Sequence, residues 1–279
     1  MSSAPINKII DFSTVDGPGC RTSIFVQACN IHCLYCHNPE TQKLCFNCGK
    51  CVDFCPAGAL SFGEGHKVVW DEEKCERCDT CINVCPSKAS PKVKALSAEE
   101  VMGRIEKNLP FVRGITVSGG ECGLYPDFLE ELFMLAKKQG LTTLLDSNGM
   151  VDFESLSDLM NVVDGVMLDI KSWDSDVYQR LTGFDNVIVK KNLSYLSRID
   201  KIEELRIVYV PGYVDAERCL EGIKETIGEK VESTRLKLIT FRHNGVRSPL
   251  SNHPSPSPEE MSALKDYALK LDFKNIVIR

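Results

Sequence analysis

Cys29-Asn30-Ile31-His32-Cys33-Leu34-Tyr35-Cys36 ends an apolar run, Thr22 to Ala28, with three cysteines spaced C-x3-C-x2-C. Three thiolates this close in sequence cannot by themselves complete a four-ligand structural zinc site. They can hold three irons of a cubane [4Fe–4S] cluster and leave the fourth iron without a protein ligand, open to a substrate. The alternative is three buried cysteines used as small apolar fillers; the rest of the chain decides between the two. The preceding TSIFVQA run is β-rich and delivers Cys29 at the C-terminal end of a strand. In a β/α barrel that end is where active sites are built.

Outward from this stretch, cysteine usage narrows the setting. The chain of 279 residues has 14 cysteines, most of them clustered between Cys29 and Cys85. A secreted disulfide scaffold is usually much shorter and begins with a signal peptide. Met1 to Lys8 carries no charged-then-apolar signal, and no apolar run is long enough to span a membrane. The expectation is a protein of a reducing, oxygen-poor cytoplasm. A net charge of -6 offers no basic footprint for nucleic acid. The length allows one large α/β domain, or one domain carrying an insertion.

Residues 6 to 12 read as a short strand and Val15 to Gly19 as a turn. From Ser97 the pattern is regular strand–helix alternation. Capping boxes open helices at Ser97–Glu100 and at Ser257–Glu260, the second with Pro258 at the first helical position. The helix from Pro126 to Gln139 places Phe128, Leu129, Leu132, Phe133 and Ala136 on one face. Strands are expected near 114–118, 142–146, 165–170, 205–210, 236–241 and 275–278. A helix is predicted over 153–162. Counted from residue 22, this makes six βα units, fewer than the eight of a closed barrel. By itself the alternation establishes only α/β.

Residues 40 to 95 differ in character and hold two copies of one motif, Cys45-x2-Cys48-x2-Cys51-x3-Cys55-Pro56 and Cys75-x2-Cys78-x2-Cys81-x3-Cys85-Pro86. Each is a bacterial ferredoxin run, in which the fourth cysteine ligates the other cluster. One [4Fe–4S] cluster is therefore assigned to Cys45, Cys48, Cys51 and Cys85, another to Cys75, Cys78, Cys81 and Cys55. A zinc ribbon from paired C-x2-C knuckles leaves four thiols and the trailing prolines unexplained. The two clusters serve either as an electron relay or as structure. The expected domains are 1–39 with 96–279, and an inserted ferredoxin-like domain at 40–95.

Two further motifs sit at strand ends: Ser118-Gly119-Gly120-Glu121, and Val166 to Lys171, which places Met167, Asp169 and Lys171 on one strand face. Glycines allow a ligand to approach the backbone; an Asp–Lys pair can equally be a surface ion pair of little worth. Taken in order, Asp16-Gly17-Pro18-Gly19-x-Arg21-Thr22, Cys36-His37-Asn38-Pro39, SGGE, Asp146-Ser147-Asn148-Gly149 and Leu168-Asp169-Ile170-Lys171 resemble the activating enzymes of glycyl radical enzymes. These belong to the radical S-adenosylmethionine (SAM) superfamily, and the YjjW-type members, with a two-cluster insertion, look most similar.

The resemblance implies an incomplete (β/α)6 TIM-type barrel and three [4Fe–4S] clusters, one binding SAM at the open iron of Cys29, Cys33 and Cys36. It implies SAM contacts from Tyr35 and from Gly119, Gly120 and Glu121, the last three at the amino group. Asp169 and Lys171 would meet the methionyl carboxylate, and Asp146, Ser147 and Met167 would help to bind a monovalent cation. Asp16 is the candidate for gripping the partner's glycine loop. Two departures stand out: Cys122 follows GGE where the family usually has Pro, and Phe241 is followed by Arg242 and then His243. Either Arg242 or His243 takes the ribose contact that a histidine after the aromatic residue makes in many activases. The implied partners are a glycyl radical enzyme, of YjjI type, and a low-potential donor of flavodoxin or ferredoxin type. The implied reaction is reductive cleavage of SAM and hydrogen abstraction from a glycine of the partner. A radical SAM peptide oxidase and a non-catalytic ferredoxin-like carrier are the rival readings.

Overall fold

The computed structural model describes residues 2–279; Met1, with which the expected barrel segment 1–39 begins, lies outside the described residues. Strand β1 (Ser3–Ser13) pairs antiparallel with β2 (Arg21–Val26). The chain then leaves the sheet for a segment with two short helices, α1 (Lys50–Asp53) and α2 (Thr80–Val84). Between them lies a hairpin of β3 (Leu60–Phe62) and β4 (Val68–Trp70). It returns as β5 (Lys94–Ser97), an edge strand pairing Lys94 with Ile6 and Ser97 with Ser3. Rejoining thus begins at Lys94, two residues before the expected boundary at 96. A four-residue edge strand without apolar alternation leaves almost no trace in sequence.

Helix α3 (Ala98–Ile105) starts on the predicted capping box, with Ser97 and Glu100 each capping the other's backbone N–H. Strand–helix units follow: β6 (Gly114–Gly119) and α4 (Pro126–Lys138), β7 (Thr142–Ser147) and α5 (Ser157–Val162), then β8 (Gly165–Asp169) with α6 (Ser175–Thr182) and α7 (Val187–Arg198). Strand β9 (Ile202–Tyr209) leads to α8 (Ala216–Ile227), β10 (Arg235–Thr240) to α9 (Pro258–Lys270), and β11 (Asn275–Ile278) closes the chain. The helix predicted over 153–162 is a 3-10 turn, Phe153–Ser155, followed by α5.

The large sheet runs β11-β10-β9-β8-β7-β6-β2-β1-β5, with β2 and β6 to β11 mutually parallel. It ends in two free edges, so the barrel is incomplete. Period-2 alternation divides its faces. Ile115, Val117, Leu145, Leu168, Ile207 and Leu238 are fully buried on the helix side, where α4 contributes the predicted Phe128, Leu129, Leu132, Phe133 and Ala136. The opposite face is polar, carrying Ser23, Thr116, Asp146, Glu204, Arg206 and Lys237 joined by hydrogen bonds and ion pairs. An apolar face under helices and a charged concave face are what a barrel open to a polar ligand requires.

The second capping box secures the final helix, the Ser257 hydroxyl accepting from Glu260 N. Ser257→Ala should cost about 1 kcal/mol and lower the calorimetric melting temperature by roughly 2–4 °C. Exposed Ser255→Ala, outside the cap, serves as the reference and should not move it.

Candidate active site

Because the seven strands are parallel, the C-terminal ends of β2, β6, β7 and β8 open onto one edge. Beyond β2 the chain turns through Ala28, whose φ of 80° is uncommon for a residue with a side chain. The N–H groups of Ala28 and Cys29 donate to Thr41 O and Gln42 O at 2.8 and 3.0 Å. Buried Gln27 reaches the same segment, its Nε2 donating to Glu40 O and Lys43 O at 2.7 Å each. The loop carrying Cys29, Cys33 and Cys36 is therefore pinned at both ends. Burial pushes the thiols up, Cys29 to about 11, Cys33 to about 12 and Cys36 in the same direction. Without metal they are protonated at neutral pH, and a metal must displace their protons. The Tyr35 and Tyr178 hydroxyls are buried with no hydrogen-bond partner, within electrostatic reach of Cys33 and Lys171. Orphaned donors beside three thiols mark room for a missing polar group, so these residues fit a metal cluster with a ligand on it.

The SGGE glycines are pressed against the chain itself. A Cβ on Gly119 would stand 2.2 Å from Val26 O, and one on Gly120 1.9 Å from Ala28 O. Gly120 N and Glu121 N donate to Val26 O and Ala28 O at 3.0 and 2.8 Å. Glycine is required here for the approach of β2's own backbone. The Glu121 side chain is fully buried and accepts from Gly123 N (2.9 Å), the Ser147 hydroxyl (2.8 Å) and Asn148 N (2.8 Å). Burial raises its pKa and those hydrogen bonds counter the shift. Glu121 is a knot between β6 and β7. Cys122, also buried, donates to Asp146 O at 3.4 Å.

Two of the three residues expected to bind a monovalent cation, Asp146 and Met167, meet a cation of the chain's own. Arg206 Nη1 pairs with Asp146 Oδ1 at 2.7 Å, and its Nη2 donates to Met167 Sδ at 3.0 Å. The other Asp146 oxygen accepts from the Ser118 hydroxyl at 3.0 Å, and the Ser147 hydroxyl is spent on Glu121. As they stand, these side chains do not fit an added cation. Arg206 is held charged: burial opposes this, but Asp146, Asp169 and Glu204 more than offset it. Asp169 and Lys171 do meet, at 2.8 Å, with the ammonium 5.8 Å from the Tyr35 ring centre. The buried Lys171 ammonium is favoured by Asp169 and Cys33 against the cost of burial.

Arg242 and His243 are exposed, and neither side chain is drawn into the site; instead Arg242 O contacts His37 Nε2 at 2.8 Å. Phe241 lies between His37 and His253, with ring centres 6.0 and 5.9 Å away. Asp16 sits under the concave face, where its Oδ2 accepts from the Ser13 and Ser23 hydroxyls at 2.6 and 2.8 Å. The motif's Arg21 is buried at the opposite end of the strands, donating to Thr116, Thr142 and Ile115 O.

The segment between β2 and β5 repeats its backbone. Left-handed conformations at Asn47, Gly49 and Gly58 recur at Arg77, Asp79 and Lys88. Each trio has the same offsets from its cysteines, and α1 and α2 occupy matching places. Cys45, Cys48, Cys51 and Cys85 share one hollow, with Cys81 at its wall; Cys55, Cys75, Cys78 and Cys81 share a second. None of the 14 cysteines is in a disulfide. Among the described residues no three His, Cys, Asp or Glu side chains gather as a single metal ion would need.

Several site residues escape sequence reasoning. Asn148, inside the DSNG stretch, donates to Cys29 Sγ at 3.5 Å. Gln27, Arg206 and Tyr178 belong with it. Glu204 and Arg206, two apart in β9, are the available signal, because residues two apart share a strand face, although Glu203 beside them blurs it. Nothing local distinguishes Asn148.

The radical SAM superfamily model matches residues 23–220. The chain is 32% identical to the indoleacetate decarboxylase activating enzyme of Tractidigestivibacter scatoligenes, over 94% of this chain and 93% of that one. It is 29% identical to the pyruvate formate-lyase-activating enzyme of Streptococcus mutans, over 93% and 89%. Escherichia coli QueE, 12% identical with a TM-score of 0.54 over 99% of this chain and 94% of that one, shares the fold. Membership implies SAM and the [4Fe–4S] cluster that binds it. An incomplete parallel barrel with three cysteines at the end of its first parallel strand, matched along nearly its whole length by such relatives, belongs to the radical SAM superfamily, among its glycyl-radical-enzyme activating enzymes.

Proposed function

We propose that this enzyme cleaves SAM reductively and activates a glycyl radical enzyme, of YjjI type, by removing a Cα hydrogen from one of its glycines. The observation that carries the reading is the convergence of Cys29, Cys33 and Cys36 with buried Lys171 and its half-buried partner Asp169 on one edge of the sheet. A [4Fe–4S] cluster with SAM at its open iron supplies the electron and the 5′-deoxyadenosyl radical when bound. The chain's part is to hold and orient. Cys29, Cys33 and Cys36 would each hold an iron. Lys171 offers its ammonium to the methionyl carboxylate while Asp169 keeps it in place. The Gly119–Glu121 turn, fixed against Val26 and Ala28, faces the amino group, and Tyr35 walls the pocket. Asp16, tethered by one carboxylate oxygen, receives the partner's glycine loop.

The grouping of Cys45, Cys48, Cys51 and Cys85 around one hollow and Cys55, Cys75, Cys78 and Cys81 around another supports a ferredoxin-like insertion with crossed ligand sets. A flavodoxin- or ferredoxin-type donor would supply the electron, with these clusters serving either as its relay or as structure. The relatives named above activate different enzymes, so they support the class of partner rather than its identity.

Anaerobic incubation of the reconstituted enzyme with reductant, SAM and a candidate glycyl radical enzyme should yield 5′-deoxyadenosine and a glycyl radical doublet in the partner's EPR spectrum. Product without a glycyl signal on any candidate, but with a modified peptide, would transfer the enzyme to the peptide oxidases.

A further inference from the structure

We propose that Asn148 is a positioning residue for Cys29, donating an amide N–H to its sulfur and so raising the reduction potential of the cluster that Cys29 ligates. Asn148 is buried at 6% exposure, and its Nδ2 lies 3.5 Å from Cys29 Sγ and 2.9 Å from Asn30 Oδ1. One hydrogen is available for each acceptor. The orientation of the amide is fixed by its surroundings. Its Oδ1 accepts from Met150 N at 2.8 Å, and Asn30 donates through its own Nδ2 to Met150 O at 3.0 Å. Reversing the Asn148 amide would set two oxygens 2.9 Å apart and turn an N–H toward the Met150 N–H. The backbone is held too, because Asn148 N donates to the buried Glu121 carboxylate at 2.8 Å.

The GGE glutamate therefore fixes the peptide whose side chain meets the cluster sulfur. A donor to a ligating thiolate withdraws electron density from the iron and favours the reduced state.

The inference rests on reading Cys29, Cys33 and Cys36 as cluster ligands. The test is an EPR-monitored redox titration of fully reconstituted wild type, Asn148→Ala and Asn148→Asp. It follows the signal that SAM perturbs, which separates this cluster from the other two. Asn148→Ala removes the donor. Asn148→Asp keeps the shape and the acceptor for Met150 N but sets a carboxylate beside Cys29, so its shift also carries a charge and the loss of the donor is read from Asn148→Ala. In both variants the reduced-to-oxidised ratio at a fixed potential should fall about tenfold, a shift of about 59 mV for a one-electron couple. The other two signals should stay where they are. An unchanged potential in Asn148→Ala, whatever Asn148→Asp does, or a shift in Asn148→Ala with Asn148→Asp at the wild-type value, would overturn the inference. A wild-type protein with full iron and no SAM-responsive signal would instead overturn the reading of the three ligands, and the inference with it.

Discussion

Cys36→Ala should abolish 5′-deoxyadenosine formation and lower the iron content of the reconstituted chain from about twelve to about eight, one [4Fe–4S] cluster's worth. The loop from Cys29 to Gln42 is clamped by Gln27 and by the Ala28 and Cys29 amides, so another thiol cannot slide into the missing place. Cys122 is fully buried and directed at Asp146 O, and Cys219 is buried in α8. Neither stands ready to substitute. Cys48→Ala should remove a similar amount of iron from the other part of the chain while the SAM-perturbed EPR signal survives, and Cys20→Ser should change neither quantity. Turnover in Cys36→Ala with a full iron complement would sink the assignment. Loss of about two-thirds of the iron on that one substitution would mean that the three sites do not load independently.

The second large effect is expected from Arg206→Met. The guanidinium, 7% exposed, answers Asp146 at 2.7 Å and Glu204 at 2.5 Å, while Lys237 contacts the same Glu204 oxygen at 2.8 Å. Removing one partner of a buried charge network leaves carboxylates uncompensated and costs about 3–5 kcal/mol. In a chain of this size the melting temperature should fall by roughly 10 °C. Asp146→Asn in the same chain should return part of the loss, because it removes the stranded charge. Lys191→Ala deletes an exposed lysine paired with Asp152 and Glu154 and should cost less than about 1 kcal/mol. If Arg206→Met melted with Lys191→Ala, the interior network would be decoration rather than support.

The two predictions mark the boundary of what the sequence discloses. Cys36 and its companions are legible because metal ligands obey fixed spacings along the chain. So are the capping boxes and the apolar stripe of α4, where the physics is local. Arg206 is not, because its partners lie on β7, β8 and β9 and meet only once the strands are in register. Asp146, Ser147 and Met167 are expected as cation ligands from motif order, whereas the pairing of Asp146 and Met167 with Arg206 depends on a neighbouring strand. Gly119 and Gly120 show the same limit. Their lack of a side chain pointed to a close approach, and only the fold reveals that the approaching group is the chain's own Val26–Ala28 backbone. Arg242 and His243 lie in a loop beyond β10, where no periodicity constrains direction, and both emerge to solvent.

The repeated segment between β2 and β5 has a small apolar cluster centred on Cys51, Leu60 and Cys81, with Trp70, Val52, Val68 and Ile82 packed half-buried against it, while Phe46, Phe54 and Phe62 stay exposed. Two of the three core residues are cysteines facing its hollows. With so small a core, the clusters proposed for its cysteines would supply much of what holds its shape. Iron starvation or a burst of oxygen would then strike this module before the sheet. The damage would then show as a loosened, protease-accessible stretch in an otherwise standing barrel.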